Sequence, residues 1–130
     1  MMTHARATYM DASVATASPA RLLVMLYERL VLDVQRGLAA QQRNDLEETH
    51  RQLKHAQDIV LELQASLRAD DFEGGHGLAS LYAFLYRQLV TANVRKDAAL
   101  TAECLALVTD LCAVWREAAL ESAAPLAKGA

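Results

Sequence analysis

A hydroxyl and a proline fix where the first long helix of this chain begins. Ser18 is placed to cap a helix N-terminus with its side-chain oxygen, and Pro19 falls at the first helical position, where a missing N–H breaks no hydrogen bond. The run that follows is apolar on almost every side: Leu22, Leu23, Val24, Met25, Leu26, Leu30 and Val31. A surface helix needs one apolar stripe, whereas this one carries enough for burial on several sides. Ahead of it, residues 1–17 are rich in Ser, Thr and Ala, with Tyr9 as the one aromatic and Met10 beside it. Such a stretch is too poor in apolar side chains to fold alone. These features predict a bundle with surplus apolar surface, preceded by an arm able to act as a displaceable lid. They point to binding rather than catalysis.

The remaining pattern is helical too. With 130 residues the chain matches one domain, and its two prolines and five glycines leave long uninterrupted stretches. Helix one is expected from Pro19 to about Ala40, and Gln41 to Arg43 form a short polar connection. Asn44 is then expected to cap helix two, with Glu47 completing a capping box. Leu46, Leu53, Val60 and Leu67 recur every seven residues, joined by Ala56, Ile59 and Leu63, on a helix ending near Arg68. Gly74, Gly75 and Gly77 mark Asp70 to Gly77 as a loop. Helix three follows from Leu78 to Arg95, and Lys96-Asp97 is a tight break in which Asp97 suits an N-cap. Helix four turns Leu100, Cys104, Leu107, Leu111, Val114 and Trp115 inward and fades by Ser122, leaving a frayed tail past Pro125. No internal repeat is evident. Short connections place successive helices antiparallel. The fold class is therefore all-α, an antiparallel up-down four-helix bundle over residues 18–122, with an arm at 1–17 and a tail at 123–130.

Composition narrows the function. The net charge is −3, from 13 Lys and Arg against 16 Asp and Glu, with no basic stripe of the kind nucleic-acid binding requires. No signal-peptide core is visible and no apolar run approaches the ~20 residues of a membrane span, so the chain reads as cytoplasmic and not membrane-inserted. Cys104 and Cys112 lie too far apart along one helix to pair and read as reduced core residues. Glu47-Glu48-Thr49-His50 holds one Glu-x-x-His, but a di-metal bundle site needs that motif twice, with further inward carboxylates. No nucleophile has a base at helical spacing, and no Gly-rich loop follows a strand. Neither catalytic, metal nor cofactor residues are indicated. The tyrosines stand out instead: Tyr27, Tyr82 and Tyr86 fall on helices one and three, where they either sit at core edges with the hydroxyl in water or, with Tyr9 and an adaptable Met25, line a groove.

These blocks resemble the FliS-type flagellin export chaperones. Tyr9, Val14, Thr16 to Pro19, Leu22 and Met25-Leu26-Tyr27 are similar to the start of that family. Ala56, Ile59, Leu63 and Leu67 resemble its second helix. Gly74-Gly75, Leu78, Leu81-Tyr82, Tyr86, Leu89 and Ala92-Asn93 resemble its third, and Lys96-Asp97, Leu107 and Trp115 its fourth. Glu28-Arg29 depart from the small residues common after the Met-Leu-Tyr triplet. The resemblance implies a chaperone that binds the disordered C-terminal segment of flagellin, prevents premature polymerisation and assists delivery to the type III export gate. The expected partner-binding groove comprises Tyr9, Met10, Leu22, Met25, Leu26, Tyr27, Tyr82, Tyr86, Leu89 and Asn93. The free chain is expected to be a monomer or a weak homodimer. An alternative from another class is a regulatory bundle that sequesters a small anti-sigma factor or signalling protein in the same groove.

Overall fold

The computed structural model describes residues 18–129, with side chains described for residues 18–121. Residues 1–17, with Tyr9 and Met10, lie outside the described residues. Four helices follow in order: α1 (Pro19–Gln42), α2 (Leu46–Ser66), α3 (Gly75–Val94) and α4 (Ala98–Gly129), with a 3-10 turn at Ala69–Asp71 between α2 and α3. They pack as a ring, α1 on α2, α2 on α3, α3 on α4 and α4 back on α1, which is the up-down bundle. As expected, Ser18 caps α1, its Oγ accepting from the Arg21 N–H at 3.1 Å, with Pro19 at the start of the helix.

The two short connections are copies of one turn. Asn44 and Lys96 take left-handed backbone conformations (φ 60° and 55°) and end α1 and α3. The N–H of the next residue reaches back into the helix just finished: Asp45 to the Ala40 carbonyl at 2.9 Å and Asp97 to the Ala92 carbonyl at 3.0 Å. Those reaches, with Asn44 to Gln41 and Lys96 to Asn93, satisfy carbonyls a helix end leaves orphaned. Each aspartate then caps the helix to come, Asp45 accepting from the Glu48 N–H at 3.1 Å and Asp97 from the Leu100 N–H at 3.0 Å. Four residues on, buried Thr49 and Thr101 donate their hydroxyls to the carbonyls of those same aspartates. The shared pattern, Ala-x-x-Arg-x-Asp-x-x-x-Thr from Ala40 and again from Ala92, is an internal repeat that periodicity alone did not reveal. It also corrects the expected cap. Asn44 tolerates the left-handed conformation and is used there, so the capping role moves to Asp45, and the expected box with Glu47 does not form.

The longer connection is shorter than the glycines suggested. Gly74 takes the left-handed conformation (φ +85°) and α3 starts at Gly75, where a Cβ would stand 2.1 Å from the Ala69 carbonyl oxygen. Two glycines thus let the 3-10 turn pack directly against the start of α3.

Core residues come from all four helices: Val24, Tyr27, Leu30 and Val34; Leu53, Ala56, Ile59, Val60 and Leu63; Tyr82, Leu85, Leu89 and Ala92; Cys104, Val108 and Cys112. Only one face of α1 is buried, contrary to the expectation of burial on several sides. On α4 the innermost row is Thr101, Cys104, Val108 and Cys112, one position round from the expected stripe. These small residues let α4 approach closely, while Leu107, Leu111 and Trp115 pack from the flank and Val114 stays exposed. Leu46, expected on the α2 stripe, is likewise exposed at the helix start. Cys104 and Cys112 are free and buried, and burial pushes the Cys104 thiol up to about 11.

Helix α4 runs to Gly129, past Ser122 where helix four was expected to fade, and it departs from the expectation that no run is long and apolar enough to span a membrane. By length and composition, Ala98–Glu121 could also cross a membrane, with mean hydropathy 1.6. Its innermost row fills the bundle core, and Glu103, Asp110 and Glu117 lie exposed along the opposite side.

Lys96→Gly should stabilise the fold by about 0.5–1 kcal/mol, because glycine enters the left-handed region without the Cβ penalty. A melting temperature raised by ~2–5 °C in thermal denaturation is the expected result. Gly75→Ala should lower it, the methyl having no room beside Ala69.

Candidate functional site

The tyrosines expected to line a groove meet in the core instead. Tyr27 and Tyr82 are 0% and 2% exposed, and their hydroxyls hydrogen-bond to each other across the bundle. The Tyr27 ring lies against the Trp115 indole, with centroids 6.2 Å apart and planes at 23°, an offset stack that brings in α4. Burial raises the pKa of both phenols, reinforced at Tyr27 by its Tyr82 partner. Leu89 is fully buried as well. Geometry forbids the expected groove, since α1 and α3 are diagonal in the ring and meet only through the core.

The open apolar surface lies on the other side of α1. Leu22, Leu23, Met25 and Leu26, with Pro19, form the wall of a groove of about 750 Å³, closed by Glu62 and Ser66 of α2 and by Arg29. These α1 side chains are partly exposed, because Val24, Tyr27, Leu30 and Val34 take the inward face. From Pro19 to Arg29 the groove follows three turns of helix, ~15 Å.

Beyond Arg29 the seam between α1 and α2 becomes polar. A second cleft, about 480 Å³, is lined by Arg29, Glu47, His50, Arg51, Gln52, Lys54, His55 and Asp58. At its inner edge Asp33 of α1 is fully buried and held from two sides. The Arg29 Nε donates to Oδ1 at 2.9 Å, and His55 Nδ1 of α2 meets Oδ2. A buried carboxylate needs such partners to remain charged.

The chain from residue 1 to residue 122 matches the family model described as flagellar protein FliS. The flagellar secretion chaperone FliS of Bacillus subtilis (strain 168) is 33% identical over 110 residues, covering 85% of this chain and 82% of that protein. The chain belongs to the FliS family of flagellar secretion chaperones. The FliS of Escherichia coli (strain K12) is 28% identical over 112 residues, with coverage of 85% and 82%. A crystal structure titled as a flagellar chaperone from bacteria superposes with a TM-score of 0.72 over 94% of this chain and 99% of that one, at 22% identity, and shares the fold.

Against this FliS-family bundle, the ten expected groove residues divide into four sets. Leu22, Met25 and Leu26 stand together in the α1–α2 groove. Tyr27, Tyr82 and Leu89 belong to the core. Tyr86 packs partly against that core, and Asn93 donates from Nδ2 toward His50 Nδ1 at 3.0 Å, so neither lines the groove. Tyr9 and Met10 are outside the described residues. Sequence reasoning missed Pro19, Leu23, Arg29, Glu62 and Ser66 as groove residues. The surplus of apolar residues on helix one was the available signal. Which of them face inward depends on where Tyr27 points.

Removing one hydroxyl of the core pair leaves the other buried without its partner. Tyr82→Phe should therefore cost about 1–3 kcal/mol, and the double replacement of Tyr27 and Tyr82 by Phe should cost less than the sum of the single changes. The raised phenol pKa values set a pH dependence. The folded chain keeps protons that the unfolded chain releases above about pH 10, so stability is intact below that pH and falls as pH rises past it. Urea unfolding between pH 8 and 11 should show this decline, and the double Phe variant should flatten it.

Proposed function

We propose that the α1–α2 groove holds the disordered C-terminal segment of flagellin in the cytoplasm, keeps it from polymerising, and presents the complex to the flagellar type III export gate. The observation that carries this reading is the partly exposed apolar row on α1, where Leu22 and Met25 stand outside the core and Leu23 and Leu26 pack against it while still lining the groove. Membership of a family of flagellar secretion chaperones supplies the class of cargo. The chemistry suits capture. An amphipathic segment that folds only on binding lays its apolar face into such a groove, and burial offsets its ordering entropy. Met25 gives one wall an adaptable side chain, useful for cargo that arrives unfolded. Nothing in this role calls for bond chemistry or a cofactor.

The arm fits the same reading. Residues 1–17 join α1 at Ser18, beside the Pro19 end of the groove. Tyr9 and Met10 lie outside the described residues; the arm that carries them is read as a displaceable lid because it is too poor in apolar side chains to fold alone.

Co-expression with the flagellin of the same genome, followed by size-exclusion chromatography, should give a 1:1 complex. That complex should be lost when flagellin lacks its last ~40 residues, chain enough to bury an area of the order typical of coupled folding. Met25→Glu should weaken binding at least tenfold with little change in melting temperature, since Met25 lines the groove and is not among the side chains packed against the core. Tyr82→Ala instead empties the core and should cost roughly 3–5 kcal/mol of stability. Undiminished binding of truncated flagellin would overturn the proposal.

A further inference from the structure

Arg29 stands where the apolar groove gives way to the polar cleft, and its side chain lines both. It is 48% exposed, yet it is not loose, because its Nε is bonded to a buried carboxylate one turn further along α1. A guanidinium carries five donors in a planar fork. With Nε committed to Asp33, the outer nitrogens Nη1 and Nη2 have no hydrogen-bond or ion-pair partner among the described residues. Both oxygens of Asp33 are already engaged, one by Arg29 and the other by His55.

The surrounding charges single out this residue. The other Lys and Arg side chains lining the polar cleft are taken: Arg51 by Glu47 and Glu48, and Lys54 by Asp58. Glu62, the other charged residue of the apolar groove, makes no ion pair among the described residues. Arg29 is therefore a cation fixed in orientation, open at its outer edge, and placed one helical turn beyond Leu26 on the apolar wall. The entropy of ordering a long side chain has been met before any partner arrives.

We propose that Arg29 is a specificity-determining residue of the groove, its two outer nitrogens taking the carboxylate of an Asp or Glu that follows the last apolar anchor of the docked flagellin segment. The end-on fork matches the two oxygens of a carboxylate. Apolar anchors alone let an amphipathic helix lie in a groove in either direction. A single charge at one end fixes which way it runs. This inference rests on the docking reading above and adds to it the chemistry that sets orientation.

The test is titration calorimetry of the full chain with a synthetic peptide of the flagellin C-terminal segment from the same genome. A matching set of peptides carries each Asp or Glu changed in turn to its amide. One amide peptide should bind the unmodified chain about three- to tenfold more weakly, the size expected for a half-exposed ion pair of good geometry. Arg29→Gln should show the same loss with the unmodified peptide and no further loss with that amide peptide. If each amide change weakens binding to Arg29→Gln as much as binding to the unmodified chain, Arg29 reads no carboxylate and the assignment is wrong. If Arg29→Gln fails to fold, the peptide series on the unmodified chain still decides, since full affinity for every amide peptide overturns the assignment. Should the unmodified peptide not bind the unmodified chain at all, the docking reading falls and this inference with it.

Discussion

The contact between Tyr27 and Tyr82 organises this bundle. Two phenols from diagonal helices meet hydroxyl to hydroxyl at the centre, and the Trp115 indole of α4 lies against the first of them. Each hydroxyl is the other's partner, so neither polar group is buried at a loss. Turning Tyr27 inward fixes the rotation of α1 about its own axis. Once that rotation is set, Val24, Leu30 and Val34 follow Tyr27 into the core, Leu22 and Met25 are left on the groove, and Leu26 spans the boundary between core and groove. The apolar groove is thus a consequence of how the core is filled.

The turns serve the same end by other means. Two copies of one ten-residue pattern end α1 and α3 and begin α2 and α4, using a left-handed residue to finish one helix and an aspartate to start the next. At both corners part of what a helix end would leave unsatisfied is met locally, by the reach of the Asp45 and Asp97 N–H groups back into the finished helix and by their carboxylates capping the next. Tight corners leave little freedom in how successive helices lie, so the seam between α1 and α2 is held at one end by the Asn44–Asp45 turn. Along its length it is held by Asp33, bonded to Arg29 and His55. A docking groove gains from walls that do not reorganise when cargo binds.

Function in this chain follows from a division of the α1 surface. One face completes the fold and a second is left partly exposed and apolar, with a fixed guanidinium at the boundary between apolar and polar seams. The chain belongs to the FliS family of flagellar secretion chaperones, and the docking of cargo on that second face is the proposal made above.

Much of the architecture was legible in the residues. Ser18-Pro19, the heptad spacing from Leu53 to Val60, the glycines after Glu73 and the Asp97 cap each express a local rule, and local rules are satisfied within a few residues of chain. The family could be read for the same reason, because its blocks are strings of such positions. Rotation and partnership could not be read. A tyrosine on an apolar helix is equally suited to a wet core edge and to a dry core, and only the presence of a second buried hydroxyl at the right place decides between them. The choice of Asp45 over Asn44 as cap depended on which residue the preceding helix end needed in the left-handed region. Whether α4 turns Thr101, Cys104, Val108 and Cys112 or their larger neighbours inward depended on how closely α1 and α3 approach it. The sequence determined four helices, their order and, the end of α4 apart, their ends to within a few residues. The tertiary structure decided which faces meet, and therefore which apolar side chains stay partly exposed, because burial is a property of the whole assembly and of no single helix.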